Sequence, residues 1–355
     1  MKRHGDLWPR LVSFSNLLWA SEKACRGKRF RPAVAEFNFN LESELLRLQE
    51  ALATKTYRPG KYRSFYIYEP KKRLISAAPY RDRIVHHALT RVLEPIFEPT
   101  FISDSYACRK RKGTHAAVDR CQQYAKRFRY VLKTDIRRFF PSIDHDILQE
   151  QIARKIKDPD VLWLTGLIIE YSNPQEPVMD WFPGDDLFSP TEHRRGIPIG
   201  NQTSQFFANV YLDSLDHFVK ERLRFKGYVR YVDDFLLFSD DKRELAAARV
   251  EIVQFLMKLR LRLHPRKNTI FPVEEGIRFL GYRVFPTHRL LVKENVWRFL
   301  RRVCTMQRKY SQGQITLPEI RQRLMSWTGH AWQADTYRLR THLFAMITFR
   351  RATAE

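Results

Sequence analysis

The residues best suited to chemistry in this sequence are three aspartates in two separate segments. Asp233 and Asp234 are adjacent within the apolar run 229–238, and Asp135 ends the apolar segment 130–135. Burying like charges is costly unless a cation compensates for them. Carboxylates are ligands that Mg²⁺ prefers, and phosphates commonly complete its shell. A lone Asp-Asp pair is more often a solvated turn, but the three residues together indicate a metal site acting on phosphates.

Both segments have the composition of β-strands. Aromatic and β-branched residues flank the pair Asp233-Asp234, which predicts a β-hairpin with the acidic pair at its tip. Consecutive strand residues face opposite ways, so both carboxylates can serve one site only at a turn or a twist. Residues 130–135 predict a second strand, which delivers Asp135 at its C-terminal end. Helices are predicted over most of residues 1–60, as a pair over 145–170, and over 242–262.

Composition points to a globular protein that binds a polyanion. The 355 residues are 44% hydrophobic, and 63 Lys+Arg against 39 Asp+Glu give a formal net charge of +24. Nucleic acid is the leading candidate partner for such a surplus. No apolar run approaches the roughly 20 residues needed to span a bilayer, and the N-terminus lacks a signal-peptide core. We therefore expect a cytoplasmic protein without a membrane partner. The four cysteines show no zinc spacing and are expected to be reduced.

The two acidic motifs together resemble the palm of a reverse transcriptase. The matching residues are Tyr231-Val-Asp-Asp234 and Asp135-x-x-x-Phe139-Phe140, in that family's order. The resemblance extends from about residue 20 to 340 and implies an α+β, right-hand polymerase fold. The implied parts are a helical N-terminal extension (1–60), fingers (61–128), a palm (129–284) with an inserted loop (172–195), and a basic helical thumb (285–355).

The resemblance also implies the catalytic groups. Two Mg²⁺ ions, about 4 Å apart in such sites, would be held by Asp135 and Asp233, with Asp234 as an accessory ligand. The backbone carbonyl of Ile136 would contribute as well. Lys267 stands where the family has a lysine near the leaving pyrophosphate, as a general acid or a positive clamp. A solvated lysine remains the alternative there.

Nucleotide binding is expected around the fingers hairpin and the palm. Residues 62–76 predict two strands joined near Glu69, and the resemblance assigns Lys71, Lys72 and Arg73 to the triphosphate, because Arg can pair with phosphate oxygens bidentately. Phe140 stands where the family has an aromatic sugar gate, which excludes a 2′-hydroxyl and favours dNTPs over ribonucleotides. Phe139 needs no role beyond the core.

A third motif indicates a subgroup within this family. Ile199-Gly200-x-x-x-Ser204-Gln205 resembles the form found in reverse transcriptases of diversity-generating retroelements, where other reverse transcriptases have Gln-Gly-x-x-x-Ser-Pro. Ile199, Gly200 and Gln205 are therefore expected beside the nucleotide. Replacing a hydrogen-bonding amide by a hydrocarbon should weaken discrimination between partners. The resemblance implies error-prone copying, mostly at template adenines, for mutagenic retrohoming.

The resemblance implies partners as well as chemistry. These are template RNA, the RNA/cDNA duplex, dNTPs and a small basic helical accessory protein that forms a ring, in a bacterial or phage-infected cell. Eight residues are expected to contact nucleic acid: Arg109, Lys110, Arg111, Lys112, Gly281, Tyr282, Arg301 and Arg302.

Three alternatives stay open at this stage. The nearest is a reverse transcriptase of another bacterial group, from a retron, a CRISPR-associated system or phage defence. A non-catalytic RNA scaffold is less favoured, because a pure binder needs none of the three carboxylates. A viral RNA-copying polymerase is disfavoured by Phe140.

Overall fold

Helices form the N-terminal part of the chain, as the sequence predicted. In the computed structural model, which describes residues 3–68, 72–172 and 178–351, they are α1 (Trp8–Val12), α2 (Phe14–Cys25), α3 (Pro32–Phe39) and α4 (Leu41–Ala53). The Ser13 hydroxyl caps α2 by accepting a hydrogen bond from the Asn16 amide. Leu17, Ala20 and Ala24 of α2 recur at helical spacing and are buried, which packs α2 against a later helix, α5 (Tyr80–Phe97).

An antiparallel hairpin precedes α5. Its strands are β1 (Arg63–Ile67) and β2 (Arg73–Ala77), paired from Arg63 opposite Ala77 to Ile67 opposite Arg73. This confirms the two predicted strands, whereas their predicted turn and Lys71 lie outside the described residues. The helix α6 (Thr114–Ala125) follows α5, and its N-cap is Gly113, whose φ of 113° suits glycine.

A four-stranded antiparallel sheet lies within residues 129–284, the segment predicted to be the palm. Its strands are β3 (Tyr130–Asp135), β4 (Gly227–Tyr231), β5 (Asp234–Ser239) and β6 (Thr269–Pro272), in the order β4-β5-β3-β6. β5 is buried except at Asp234, and β3 is buried at Val131, Leu132 and Thr134 and half-buried elsewhere, because helices cover the sheet. The β4–β5 hairpin confirms the predicted position of the acidic pair at a hairpin tip.

The remaining palm helices support this sheet. They are α7 (Phe139–Ser142), α8 (His145–Ala153), α9 (Pro159–Glu170), α10 (Ser189–Glu192), α11 (Gln202–His217) and α12 (Lys242–Lys258). The α8–α9 pair was predicted, and the N-cap aspartates Asp144 and Asp158 fix where each helix begins. The helix predicted over 242–262 ends at Lys258, because the chain turns at Leu259 and Arg260, where φ is 52°.

The described part of the inserted loop is docked onto the palm. Asp185 accepts two hydrogen bonds of 2.7 Å from the Arg260 guanidinium, and Phe182 lies beneath the same arginine. This bidentate ion pair holds the loop against the rest of the chain. The loop also contains one short helix, α10, in a segment whose sequence showed no periodicity.

The C-terminal part has a small sheet and a helical unit. The sheet contains β7 (Ile277–Phe279), β8 (Tyr282–Val284) and β9 (Arg289–Leu291), and the helices are α13 (Lys293–Ser311), α14 (Leu317–Ala331) and α15 (Tyr337–Ala345). Phe299 stacks on Trp327 with ring centroids 3.7 Å apart, at the centre of a separate apolar cluster. Across the described ranges, no helix is both long and apolar enough to cross a membrane.

Candidate active site

Strand register brings the three predicted aspartates together. Asp135 ends β3 and lies directly opposite Asp234, the first residue of β5. Asp233 occupies the two-residue turn between β4 and β5, where Val232 has a φ of 56°. The Ile136 amide donates a 3.1 Å hydrogen bond to the Asp233 carbonyl, which ties the turn to the end of β3. The predicted turn is what allows adjacent carboxylates to serve one site.

A buried ion pair supports the acidic turn from behind. Arg230 on β4 is fully buried and donates hydrogen bonds of 2.7 and 2.6 Å to the two carboxylate oxygens of Asp216 on α11. The same guanidinium donates to the Val232 carbonyl at 3.1 Å. Val232, the left-handed residue of the turn, is thereby tied to α11, which holds the turn that carries Asp233 in place.

The electrostatics of the carboxylates favour a bound cation. Burial raises the pKa of Asp233 to about 6, and the nearby Asp135 carboxylate adds to the rise. Burial raises the pKa of Asp234 to about 7, against the lowering effect of Lys133. Among the described residues, no hydrogen-bond donor reaches the buried Asp234 Oδ1. Clustered oxygen ligands with an unsatisfied buried carboxylate oxygen fit a divalent cation.

Lys267 lies at this cluster. Its Nζ is 2.5 Å from Asp135 Oδ2. Two backbone hydrogen bonds hold the loop before Lys267 to the end of β3. The His264 amide donates to the Asp135 carbonyl at 2.7 Å, and the Arg137 amide donates to the Arg262 carbonyl at 2.8 Å. Lys267 is therefore positioned by backbone bonds at the residue it pairs with.

The predicted nucleotide-binding residues divide between two neighbouring cavities. Lys72, Arg73, Phe140 and Ile199 line the same cavity as the three aspartates, with a volume of about 610 Å³. The Arg73 charge acts to lower the pKa of Asp233. Phe140 is half-buried against this cavity, whereas Phe139 is buried in the core as expected.

Gly200 and Gln205 face a second, basic cavity instead. The two cavities share a wall, since the Ile199 carbonyl accepts a 3.3 Å hydrogen bond from the Ser76 amide of β2. Gly200 adopts a φ of 122°, and a Cβ there would lie 3.3 Å from the Ile75 side chain. The close approach of β2 to the 199–200 peptide explains why this position is glycine.

The residues expected to contact nucleic acid are in varied settings. The Arg109 guanidinium is buried and bonded to Glu98 and to the carbonyls of Ile102 and Ser105, so the fold already uses its donors. Lys110 is exposed and lies 3.5 Å from Glu94.

The next two basic residues lie on the same loop as Lys110. Arg111 has a φ of 58°, and the Lys112 ammonium donates to the Ser103 carbonyl. They extend the basic surface that Lys110 begins.

The other four residues predicted to contact nucleic acid lie in the C-terminal part, and they too include both buried and exposed side chains. Tyr282 is fully buried, and its hydroxyl donates to the His330 carbonyl at 2.8 Å. Gly281 has a φ of 91° at the turn between β7 and β8. Arg301 and Arg302 are exposed on α13, and Arg302 lines a groove between α13 and α14. The two arginines therefore present charge at the surface, and Tyr282 fixes α14 to the small sheet.

Sequence reasoning missed the groups that position the site. Asp216 and Arg230 were not singled out, although an arginine within the apolar run 227–231 was a signal of a buried, paired charge. Arg138 and His264 also line the catalytic cavity. Arg138 has a φ of 46°, which no pattern in the sequence indicates.

A second group of possible metal ligands lies apart from the catalytic cavity. Ligand atoms of Asp144, Asp146 and His193 lie within 4.8 Å of one another. Asp144 Oδ1 caps α8, and its Oδ2 lies 2.9 Å from His193 Nδ1 and 3.5 Å from Arg260 Nε. A guanidinium this close supplies the countercharge itself, so the group fits an ion-pair network better than a metal centre.

Comparison with known proteins matches the site to one family. Residues 64–284 match the family model described as reverse transcriptase (RNA-dependent DNA polymerase). Protein YkfC of Escherichia coli is 27% identical over 75% of this chain and 76% of its own length. The group II intron-encoded protein LtrA of Lactococcus lactis is 28% identical over 50% of this chain, a match that spans only 28% of LtrA.

The similarity to solved structures is low. A Candida tropicalis telomerase has a TM-score of 0.49 and 14% identity, covering 68% of this chain and 59% of that one. The family match includes Asp135, Asp233 and Asp234, and the family uses a divalent metal and an RNA template. The three aspartates thus lie in an α+β, right-hand polymerase fold, and the chain belongs to the reverse transcriptases, the RNA-dependent DNA polymerases.

Proposed function

We propose that this chain copies an RNA template into DNA by metal-assisted nucleotidyl transfer from dNTPs, with Mg²⁺ as the metal. The observation that carries the proposal is the convergence of Asp135, Asp233 and Asp234 in one cavity with Lys267 and Arg73. The carboxylates and the Ile136 carbonyl would hold two ions. When bound, such ions activate the primer 3′-hydroxyl and stabilise the charge on the transferred phosphoryl group.

The chain's own residues then position the reactants. Arg73 and Lys72 bind the triphosphate from the fingers side of the cavity. Lys267 neutralises charge beside Asp135, at the side where the leaving group forms. Phe140 lies under the sugar and leaves no room for a 2′-hydroxyl. Positioning and charge neutralisation supply most of the rate acceleration in phosphoryl transfer.

Primer extension on a defined RNA template tests this proposal. Wild type with Mg²⁺ and dNTPs should make cDNA, and Asp233→Asn should reduce synthesis to background, because it removes a charged ligand and leaves the shape unchanged. Asp240→Asn, just after the end of β5 that is farther from the cavity, is the matched control and should retain activity. Tight RNA binding without synthesis by the wild type would favour the scaffold alternative.

We further propose that copying is error-prone, as in diversity-generating retroelements, with template adenines as the main sites of error. Supporting this is the position of Ile199, whose branched hydrocarbon lines the cavity of the aspartates. Sequencing the products tests it. Errors concentrated at adenines, and reduced in Ile199→Gln, are expected. Accurate wild-type cDNA would place the enzyme with retron, CRISPR-associated or phage-defence reverse transcriptases instead.

The proposed function includes partners and a cellular setting. A small, basic, helical accessory protein in a ring would act with the chain and its template RNA in the bacterial cytoplasm. Adding a co-encoded protein of this kind should raise synthesis on the long template RNA. No stimulation by any co-encoded protein would remove this partner from the proposal.

A further inference from the structure

The inserted loop, described over residues 178–195, meets the rest of the chain just before Lys267. Asp185 accepts one hydrogen bond of 2.7 Å on each carboxylate oxygen from the Arg260 guanidinium. The Asp185 and Arg260 side chains are only 5% and 12% exposed, so salt screens this pair less than a surface pair. Arg260 stands seven positions before Lys267, whose ammonium pairs with Asp135. The loop is therefore bonded to the segment that leads to this second ion pair.

A tight turn in the loop presents the Asp185 carboxylate. The Asp185 amide donates to the Phe182 carbonyl at 3.0 Å, and the Asp185 carboxylate accepts from the Phe182 amide at 2.9 Å. Pro183 and Gly184 occupy the middle of the turn, and Gly184 has a φ of 93°. Proline followed by glycine suits a turn of this kind, because glycine adopts a positive φ without strain. Local sequence therefore pre-orders the carboxylate that Arg260 binds.

A second carboxylate of the loop lies between two segments of the chain. Asp180 Oδ1 is 3.7 Å from a guanidinium nitrogen of Arg137 and 3.9 Å from Arg262 Nε. Arg262 also donates a 2.5 Å hydrogen bond to the Trp181 carbonyl. Arg137 belongs to the segment that follows β3, whereas Arg262 belongs to the same segment as Arg260. One loop side chain therefore faces both segments.

Backbone hydrogen bonds join the same two segments beside the Lys267–Asp135 pair. The Arg137 amide donates to the Arg262 carbonyl at 2.8 Å, and the His264 amide donates to the Asp135 carbonyl at 2.7 Å. The segments thereby form a short antiparallel bridge. Lys267 follows His264 by three positions, and its Nζ lies 2.5 Å from Asp135 Oδ2. The bridge therefore sets the position of Lys267 relative to Asp135.

The loop supplies the countercharge that this bridge needs. Arg137 and Arg262 both lie close to the one Asp180 carboxylate, so their like charges are near each other and repel. In the described part of the chain, no other carboxylate forms an ion pair with either arginine. The Phe182 ring adds a cation–π contact, with its centroid 5.3 Å from the Arg262 guanidinium. Without the loop, repulsion would act directly on the bridge.

We propose that Asp180 and Asp185 are positioning residues for nucleotidyl transfer: the inserted loop holds the two bridged segments together and thereby keeps Lys267 at Asp135. Within residues 178–195, no side chain lines the cavity of the aspartates, so the loop acts through the segments that it holds. This role rests on the proposed function, which supplies the reaction, whereas the contacts themselves lie within the chain.

Single-turnover incorporation of one nucleotide tests this role. Asp185→Asn removes the charge that faces Arg260 and keeps the size of the side chain. It should lower the incorporation rate about 10-fold, since a small displacement caused far from the reacting atoms can cost up to about 100-fold. The apparent Kd of the dNTP should stay unchanged, because the residues proposed to bind the triphosphate, Lys72 and Arg73, lie on another element.

A double-mutant cycle shows whether the effect passes through Lys267. In a Lys267→Met background, Asp185→Asn should cause no further loss of rate, because the group that the loop positions is already absent. Two losses that multiply would show that Asp185 acts by another route, and they would overturn the inference.

Two further variants separate the ion pair from the loop as a whole. Asp186→Asn is the matched control, because Asp186 bonds only to the amides and hydroxyl of residues 188–189 among the described partners. It should incorporate nucleotide at the wild-type rate. Gly184→Ala strains the turn that presents Asp185 without changing any charge, and it should lower the rate as Asp185→Asn does. A rate loss shared by Asp186→Asn would contradict a specific role for Asp185.

Amide hydrogen exchange gives a readout that needs no catalysis. The His264 and Arg137 amides, which close the bridge, should exchange roughly 10-fold faster in Asp185→Asn than in wild type, because the bridge opens locally more often. Both amides should stay protected in Asp186→Asn. Equal protection in wild type and Asp185→Asn would overturn the inference, whatever the rates. A wild type that makes no cDNA would overturn the proposed function alone, since exchange is measured without substrate.

Discussion

Arg230 and Asp216 form a fully buried, bidentate ion pair directly behind the turn that carries Asp233. The pair does more than support the core, because the same guanidinium also donates a hydrogen bond to the carbonyl of Val232. Val232 is the turn residue that immediately precedes Asp233. Two separate segments of the chain, α11 and β4, thereby hold the turn that carries Asp233.

Removing one partner of this pair should be severely destabilising. Asp216→Ala leaves the Arg230 charge buried without compensation, and such losses cost about 3–5 kcal/mol. Urea unfolding of wild type and variant measures the difference in the free energy of unfolding. Asp213→Ala, three residues earlier on α11 but not bonded to Arg230, is the comparison. A loss below about 1 kcal/mol in Asp216→Ala would show that water reaches Arg230.

Lys267 should act by its charge. Its Nζ lies 2.5 Å from Asp135 Oδ2, so Lys267→Met should lower kcat by about 10²-fold, comparable to losing one stabilising group at a developing charge. Lys267→Arg keeps the charge but cannot release a proton at neutral pH, and it should retain most of the activity. Single-turnover nucleotide incorporation measures both variants. If Arg is as poor as Met, proton donation is the function of this residue instead.

Phe140 should select the sugar of the nucleotide. It lines the cavity while Phe139 is buried behind it. Phe140→Ala should therefore raise ribonucleotide incorporation relative to dNTP incorporation, on the order of 10- to 100-fold. Competition between the two nucleotides in primer extension gives the ratio. Unchanged selectivity in Phe140→Ala would assign the exclusion of the 2′-hydroxyl to another side chain. Phe139→Leu should lower stability and leave this ratio unaltered.

His86 should make the fold sensitive to acid. Its pKa is lowered to about 3, first by burial and then by the charges of His87 and Arg83, against about 6.5 in an unfolded chain. Between pH 3 and pH 6.5 the unfolded state therefore binds more protons at this residue than the folded state does. The contribution of neutral His86 to the free energy of unfolding is fully present above pH 6.5 and is lost as the pH decreases. By pH 5 the loss from this residue is about 2 kcal/mol.

The difference between His86→Asn and wild type isolates this effect. The two proteins should lose unequal amounts of unfolding free energy between pH 7 and pH 5, with the variant losing about 2 kcal/mol less. Parallel pH profiles would show that His86 is hydrated, or that it binds a proton without cost in the folded state.

Local patterns in the sequence determined the strands and helices that carry the three aspartates. The β4–β5 hairpin, the strand ending at Asp135, the α8–α9 pair and the fingers hairpin all follow from hydrophobic periodicity and capping residues, which act over a few positions. The order of Asp135 and Tyr231–Asp234 identified the family. Phe139 and Phe140 were correctly separated into a core residue and a cavity residue.

Only the tertiary structure decided which distant side chains meet. Asp216 and Arg230 are 14 positions apart, and Asp185 and Arg260 are 75 apart; neither meeting is encoded in a local pattern. Gln205 belongs to the same motif as Ile199. Gln205 nevertheless lies in the first turn of α11 and lines the second, basic cavity, whereas Ile199 lines the cavity of the aspartates. The sequence by itself determined which groups can do the chemistry, because reactivity is a property of side-chain type. Packing determined how they are held, because burial and distance are properties of the whole fold.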